Sequence, residues 1–188
     1  MRTVLLGPPG AGKGTQAARL AERWAVPAIS TGDIFRANVQ GDTELGRKAQ
    51  EYMSAGALVP DEVTNAMVRD RLAQDDVANG FLLDGYPRNP DQAVELEGML
   101  ADLGVDLDVA IEITADADAV TERLLGRAKI EGRADDTEPV IRKRLEVYAL
   151  QTAPVAAYYE GRGLLVQVDG LGEIADVTER IVSAAESR

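Results

Sequence analysis

The most constraining feature of the sequence is a glycine-rich segment near its beginning. Residues 7–15 read Gly-Pro-Pro-Gly-Ala-Gly-Lys-Gly-Thr and come directly after a short apolar run at 3–6. The spacing from Gly7 to Gly12 and Lys13 is that of a phosphate-binding loop, in which backbone N–H groups surround a phosphate and the following helix adds its positive end. Gly14 stands where Ser or Thr commonly ligates magnesium, and Thr15 comes one residue late. We therefore predict a strand, a loop and a helix in succession, with a nucleotide or another polyphosphate bound to the loop.

Length and composition limit the chemistry that the chain can perform. Its 188 residues suffice for one compact domain with small insertions, and neither cysteine nor histidine occurs. Disulfides, thiolate zinc sites and imidazole catalysis are therefore excluded. Any catalysis must come from Lys, Arg, Asp, Glu, hydroxyl groups, the backbone and bound metal.

The net charge of −12 sets a second limit. Such an acidic surface repels nucleic acids and anionic membranes, and we expect neither as a partner. No apolar stretch reaches the ~20 residues of a membrane span, and the first strand begins too early for a signal peptide, so we expect a cytoplasmic protein. A polyphosphate ligand on this chain requires a local concentration of cations, which makes individual Lys and Arg residues informative.

Short apolar runs alternate with segments of helical periodicity along the chain. The strand-like runs end near positions 7, 30, 84, 114 and 169. The helical segments cover 16–24, 64–74, 91–103, 117–126, 139–159 and 174–187. This alternation is typical of an α/β fold, and we predict a five-stranded parallel sheet with helices on both faces. Residues 31–59 and 127–138 do not fit the alternation, and they lie where lids over the carboxyl edge of the sheet would emerge.

Asp84 ends one of the buried runs and precedes Gly85-Tyr86-Pro87-Arg88. A carboxylate at the carboxyl end of a core strand, in a chain with a phosphate-binding loop, is placed to hold hydrated magnesium. The alternative is that Asp84 only caps the following turn. The glycine-rich loop favours the magnesium role.

Further motifs follow the glycine-rich segment in a fixed order. They are Ser30-Thr31-Gly32-Asp33-Ile34-Phe35-Arg36, Leu58-Val59-Pro60-Asp61, Phe81-Leu82-Leu83-Asp84-Gly85-Tyr86-Pro87-Arg88, Gln92, Gly132-Arg133-Ala134-Asp135-Asp136 and Arg142-Lys143-Arg144-Leu145. With these motifs in register, the sequence resembles adenylate kinases from end to end, and Gly14-Thr15 is itself typical of that family. The resemblance implies a P-loop NTPase fold and the reversible, magnesium-dependent transfer of a phosphoryl group from ATP to AMP, which gives two ADP.

The resemblance also implies a division of the chain. A core of residues 1–29, 60–126 and 137–188 would carry an AMP-binding segment, 30–59, and a short lid, 127–136. The longer lid insertion of many bacterial adenylate kinases is missing, and with it the Cys cluster that can hold zinc, so we expect Mg²⁺ but no zinc. We expect a monomer whose partners are ATP, AMP and ADP.

The family's functional residues carry over to matching positions of this sequence. For ATP they are Gly10, Ala11, Gly12, Lys13, Gly14, Thr15, Arg123, Arg127 and the backbone near Gly172. For AMP they are Thr31, Arg36, Ala57, Leu58, Val59, Gly85, Tyr86, Pro87, Arg88 and Gln92, with Arg133 and Arg144 converging on the phosphates. The resemblance assigns catalysis to Lys13, Asp84, Arg88, Arg133 and Arg144, and water-mediated magnesium binding to Asp84 and Asp33.

Within this set the resemblance gives some residues separate tasks. Arg36 and Arg88 would grip the phosphate of AMP, and Gln92 would bind the edge of its adenine. Phosphoryl transfer needs little covalent help from a protein, so catalysis would rest on alignment and on neutralising charge. A site without histidine or cysteine suits that task.

Each helical arginine also has a simpler interpretation as a surface ion pair. Arg123, Arg127, Arg142 and Arg144 all have acidic neighbours, and exposed pairs of this kind contribute little to stability. We predict that Arg142 and Lys143 are such surface residues.

Three alternative functions remain at this point. A UMP/CMP kinase shares the fold, the loop and the arginines; Thr31 and Gln92 favour AMP, whereas Asn89 is common in the pyrimidine branch. A module that binds nucleotide without catalysis would be expected to lack Lys13, Asp84 or some of the arginines. A kinase for another small acceptor would keep the loop but leave the AMP-pocket residues unexplained.

Overall fold

The computed structural model describes residues 1–116, 120–121, 123–127 and 137–187. Its centre is a sheet of five strands, β1 (Arg2–Leu6), β2 (Ala28–Ser30), β3 (Phe81–Asp84), β4 (Val109–Thr114) and β5 (Leu165–Asp169). The strand order is β2-β3-β1-β4-β5, and every neighbouring pair is parallel. The predicted five-stranded parallel sheet is confirmed.

Helices cover both faces of this sheet. Those with described bounds are α1 (Lys13–Trp24), α2 (Thr31–Gln40), α3 (Glu44–Ser54), α4 (Asp61–Leu72), α5 (Pro90–Asp102), α6 (Glu138–Val147), α7 (Ala153–Glu160) and α8 (Ile174–Glu186). One hydrophobic cluster joins the sheet to α4, α5 and α7, and a second joins it to α1 and α8. Burial on both faces explains why the strands are near-continuous apolar runs. Residues 123–127 are also helical, whereas 117–119 and 122, within the predicted helix at 117–126, lie outside the described residues.

The described helices are short. The longest with given bounds, α5 and α8, have 13 residues each. Across the described part of the chain, no helix is long and apolar enough to span a membrane.

The carboxyl ends of the strands meet at one edge of the sheet, because all strands run in the same direction. Leu5 of β1 lies beside Asp84 of β3 on one side and beside Ile111 of β4 on the other. Ser30 at the end of β2 also pairs with Asp84. The loops that follow these strands therefore converge, and they bring the glycine-rich segment next to the Asp84 motif.

The segment predicted to be helical over 139–159 is helical throughout, but it is not one regular α-helix. Residues Tyr148–Thr152 form a π-helical turn between α6 and α7. Pro154 lies in the first turn of α7, where its missing N–H and its ring prevent an unbroken α-helical hydrogen-bond ladder. The turn directs Thr152 toward the site, where its Oγ1 donates to the backbone oxygen of Arg88 at 2.8 Å.

Helices α2 and α3 form a pair with a small core of their own. Phe35, Ala49 and Val59 are its buried apolar residues. Thr43 caps α3 by accepting a hydrogen bond from the backbone N–H of Gly46 at 3.0 Å. The helices also approach closely at Gly46, since a methyl group there would lie 2.1 Å from the backbone oxygen of Asn38.

We predict that Gly46→Ala lowers the free energy of unfolding by about 1–3 kcal/mol, because the added methyl group must push the backbone of α2 away. The matched control is Gly98→Ala on α5, where the same methyl group meets nothing within 4 Å. There, alanine should raise the free energy of unfolding by roughly 0.5–1 kcal/mol through helix propensity. Equilibrium denaturation in urea measures both changes, and equal effects at the two glycines would contradict the close contact.

Candidate functional site

Glycines shape the loop between β1 and α1. Gly10 and Gly12 have φ angles of 87° and 91°, a region that is strained for residues with a side chain. Gly12 is the N-cap of α1 and offers no side chain to the first turn, which contains no acidic residue. The first N–H groups of α1 and the positive end of its dipole are therefore suited to an anionic ligand.

Lys13 begins α1 and bends back over the loop. Its Nζ donates to the backbone oxygens of Gly7 at 2.8 Å and Pro8 at 3.0 Å. Burial lowers the pKa of Lys13 to about 8; Asp84 opposes this shift, whereas nearby arginines, Arg88 first among them, reinforce it. An ammonium destabilised in this way gains most when a phosphate arrives, because the phosphate restores a favourable partner.

A backbone oxygen after β3 holds Arg88 near Lys13. The Nε of Arg88 donates to the backbone oxygen of Gly85 at 2.7 Å, and Thr31 Oγ1 donates to the same oxygen at 2.9 Å. Burial, with Arg144 as the next cause, lowers the pKa of Arg88 to about 10. The guanidinium still carries its charge at neutral pH, so a desolvated cation lies between the loop and α6.

Arg36 and Asp33 form an ion pair on α2. The Asp33 side chain is 68% exposed, whereas that of Arg36 is 25% exposed. The resemblance gives these residues different ligands, magnesium for Asp33 and the AMP phosphate for Arg36. With the pair formed, the guanidinium and the carboxylate share one end of the site.

Two cavities meet at these cations. The wide cavity, of about 750 Å³, lies over the glycine-rich loop and extends to residues 123–127 and 170–177. The narrow cavity, of about 120 Å³, lies between 31–36, 53–59 and 85–92. Both cavities share the cationic residues Lys13, Arg36, Arg88 and Arg144. A ligand in either cavity would thus face the same group of positive charges.

All of the residues predicted to bind ATP line the wide cavity. They are Gly10, Ala11, Gly12, Lys13, Gly14, Thr15, Arg123, Arg127 and Gly172. Arg123 points its guanidinium toward the backbone oxygen of Gly170, with Nη2 at 3.4 Å. Their part in ATP binding remains a prediction.

Most of the residues predicted to bind AMP line the narrow cavity. They are Thr31, Arg36, Ala57, Leu58, Val59, Gly85, Pro87, Arg88, Gln92 and Arg144. The side chain of Tyr86 does not: it is fully buried in the core, and its hydroxyl donates to Asn65 Oδ1 at 2.8 Å. Only the backbone of Tyr86 therefore stays a candidate for AMP binding. Arg133 lies outside the described residues.

Arg142 and Lys143 are surface residues, as predicted. Arg142 pairs with Glu138 at 2.8 Å with its side chain 78% exposed, and Lys143 pairs with Glu146 at 3.0 Å. Arg144, the next residue, instead lines both cavities. Within one turn of α6, cations that face solvent thus stand directly beside a cation of the site.

Several residues of the site carry no motif that would identify them. Thr64 and Thr152 line the narrow cavity, and Gly170 lines the wide one. Thr64 is a buried polar residue whose Oγ1 donates to the backbone oxygen of Pro60 at 3.2 Å. Thr64 lies in a helical segment without a recognisable motif, so the sequence does not identify it as a site residue. Thr152 reaches the site only because of the π-helical turn, which the sequence does not predict either.

Two carboxylates could take part in binding magnesium. Asp84 and Asp33 both line the wide cavity, next to the glycine-rich loop. Carboxylate oxygens suit Mg²⁺, which commonly takes one or two of them and completes its shell with waters and phosphates. The donor set of this cavity therefore fits hydrated magnesium carried on a nucleotide.

Comparison with known proteins agrees with this geometry. The family model described as adenylate kinase matches residues 5–164. The adenylate kinase of Kocuria rhizophila is 64% identical over 185 residues, which cover 98% of this chain and 98% of that protein. That of Thermobifida fusca is 61% identical over the whole of both chains, and that of Bifidobacterium longum is 53% identical over 99% of this chain and all of its own. The loop, the two cavities that share their cations and these full-length matches together show that the chain belongs to the adenylate kinase family.

Proposed function

We propose that this chain catalyses the reversible transfer of a phosphoryl group from ATP to AMP, which gives two ADP. The observation that carries the proposal is the group of four cations shared by the two cavities, Lys13, Arg36, Arg88 and Arg144. Two nucleotides bound on opposite sides of these cations would direct their phosphates at each other. That arrangement supplies the alignment and the charge neutralisation that phosphoryl transfer requires.

The wide cavity is assigned to ATP. The glycine-rich loop and the start of α1 offer N–H groups and a helix dipole to the phosphates, and Lys13 adds a cation beside them. Arg123 and the backbone near Gly172 lie at the far end of the same cavity, where they would flank the base. Arginine stacks well on aromatic rings, which supports this orientation of the donor.

The narrow cavity is assigned to AMP. Its apolar part includes Phe35, Met53 and Val59, and Gln92 contributes a side-chain amide. An adenine ring fits this combination of apolar walls and one amide. Arg36 and Arg88 would then meet the phosphate at the side that faces the wide cavity.

The shared cations would stabilise the negative charge of the phosphoryl group during its transfer. Guanidiniums of Arg88 and Arg144 can bind phosphate oxygens in pairs, and Lys13 can follow the phosphoryl group as a flexible cation. Asp84 and Asp33 would hold magnesium through its waters, and the ion would neutralise charge on the donor phosphates when bound. Exclusion of water from both cavities would prevent hydrolysis of ATP in place of transfer.

The structure gives Asn89 a role that does not depend on the acceptor base. Asn89 is the N-cap of α5, and its Oδ1 accepts from the backbone N–H of Gln92 at 2.8 Å. A helix-capping role accounts for this residue equally well in an enzyme for AMP. We further propose that the enzyme works as a cytoplasmic monomer, with residues 30–59 as the AMP-binding segment, 127–136 as a short lid and the rest as core.

The first test of the function is ADP formation from ATP and magnesium with AMP, UMP or CMP offered as separate acceptors. We expect kcat/KM to favour AMP by at least about 100-fold, because the amide of Gln92 matches the adenine edge. Removal of magnesium with EDTA should abolish transfer, and added magnesium should restore it. Comparable rates with UMP or CMP would contradict the assignment of AMP as the acceptor. Transfer to none of the three would contradict the kinase activity and leave nucleotide binding as the function.

A second prediction concerns Arg88. Arg88→Lys keeps the charge but loses the planar fork, so we expect a higher KM for AMP and a kcat lowered roughly 10- to 100-fold. The matched control is Arg142→Lys, an exposed arginine outside both cavities. Steady-state kinetics with varied AMP at saturating ATP distinguish the two variants. A wild-type KM for AMP and a wild-type kcat in Arg88→Lys would contradict a role for Arg88 in binding the acceptor.

A third prediction follows from the lowered pKa of Lys13. With a pKa of about 8 the ammonium is charged below that pH and loses its proton above it, whereas a bound polyphosphate favours the charged form. Binding of ADP without magnesium should therefore weaken above pH 8, by up to about tenfold per pH unit, and should take up a proton there. Titration calorimetry in buffers of different ionisation enthalpy measures both effects. A constant affinity between about pH 7.5 and 9.5 would contradict this role of Lys13.

A further inference from the structure

Asp61, the first residue of α4, accepts hydrogen bonds from two side chains at the start of α5. Asn89 Nδ2 lies 3.1 Å from each of its carboxylate oxygens, and Gln92 Nε2 donates to Oδ1 at 2.7 Å. Asp61 is not among the residues assigned to either nucleotide above, and it lines neither cavity. Its carboxylate nevertheless contacts the one glutamine that is expected to bind the acceptor base.

The other end of the Gln92 amide is also fixed. Its Oε1 accepts a hydrogen bond from the backbone N–H of Arg88 at 2.7 Å. A carboxylate can only accept and a backbone N–H can only donate, so only one orientation of the amide satisfies both neighbours. The reversed amide would place its oxygen against the Asp61 carboxylate and its NH₂ group against the N–H of Arg88.

Gln92 keeps hydrogen-bonding capacity after these two contacts. A primary amide has two N–H donors and an oxygen with two lone pairs, and each end has used one. Gln92 is 2% exposed and lines the narrow cavity, so a ligand there would meet a donor beside an acceptor in a fixed order.

This fixed order suits one class of purine. Adenine presents the N1 acceptor next to the N6 amino donor, whereas guanine and hypoxanthine present an N1–H donor next to the O6 acceptor. A 6-aminopurine can thus form both hydrogen bonds with the oriented amide, and a 6-oxopurine would set donor against donor and acceptor against acceptor. Unpaired polar groups in a buried site are what give such discrimination its strength.

We propose that Asp61 is a positioning residue that fixes the amide of Gln92 and thereby selects 6-aminopurine over 6-oxopurine nucleotides as phosphoryl acceptors. The inference rests on the proposed function, because it requires the acceptor base to lie against Gln92. Asp61 acts from outside the cavity, through a side chain that the base would contact. Asn89 supports it by binding both carboxylate oxygens while its own Oδ1 caps α5.

The test compares AMP with inosine monophosphate, two acceptors that differ only at the N1 and C6 edge of the base. In Asp61→Ala we expect the ratio of kcat/KM for AMP to that for inosine monophosphate to fall about tenfold, the effect of losing one orienting hydrogen bond. The KM for AMP should rise, whereas the KM for ATP and the kcat at saturating AMP should change little. Asp61→Asn keeps an oxygen at the position of Oδ1 and should recover most of the ratio.

The matched control is Glu62→Ala, which removes the neighbouring carboxylate from the same first turn of α4. Glu62 is exposed, so this variant keeps the Gln92 contacts and should keep the wild-type ratio. If Asp61→Ala does not fold, Asp61→Ser provides the same comparison with a polar residue suited to a helix start. An unchanged ratio in the folded variant, or equal losses for both acceptors that Asp61→Asn does not recover, would overturn the inference.

Failure of the proposed kinase function and failure of the Asp61 inference give different experimental results. If the wild-type protein transfers no phosphoryl group to AMP, the function fails, and calorimetric binding of AMP and inosine monophosphate to the wild type and Asp61→Ala still tests the positioning role without turnover. If the wild type is active with AMP but does not discriminate against inosine monophosphate, only the role of Asp61 fails.

Discussion

The crowding of positive charge around Lys13 is the constraint on which the rest of the site depends. Arg88, Arg144 and Arg127 all lower the pKa of Lys13, and Asp84 is the acidic neighbour that opposes them. Like charges in a desolvated place repel each other, so the fold must hold these side chains together at a cost in free energy. A bound polyphosphate removes that cost, which is why a strongly acidic chain can have high affinity for anions at this one place.

Backbone oxygens hold the central cations of the site. Lys13 donates to Gly7 and Pro8, and Arg88 donates to Gly85, each from a side chain to a carbonyl just after a strand. A carbonyl oxygen orients a cation without neutralising its charge, whereas a carboxylate would compete with phosphate. The parallel sheet supplies these oxygens because its strands all end at the same edge.

Local patterns predicted the sheet well, since strands buried on both faces are apolar runs with clear ends, as at Asp84. The resemblance to adenylate kinases, matched motif by motif, named residues that line both cavities, although their roles there remain predictions. The π-helical turn was not predicted, because it changes the hydrogen-bonding pattern within a segment that is helical on both sides of it. The link from Asp61 to Asn89 and Gln92 was also missed. Those contacts span 28 and 31 residues, and they depend on how α4 packs beside α5.

The small core of α2 and α3 has a consequence for the proposed binding of the acceptor. The buried residues of its core are Phe35, Ala49 and Val59, far fewer than those in the clusters on either face of the sheet. With so little apolar area of its own, we expect this helix pair to have a low local stability. Under the proposed function, a base that entered against Phe35 would add to the same core, and the acceptor would then become part of the hydrophobic interior that stabilises residues 30–59. Protection of these helices against hydrogen exchange would then report the occupancy of the acceptor cavity.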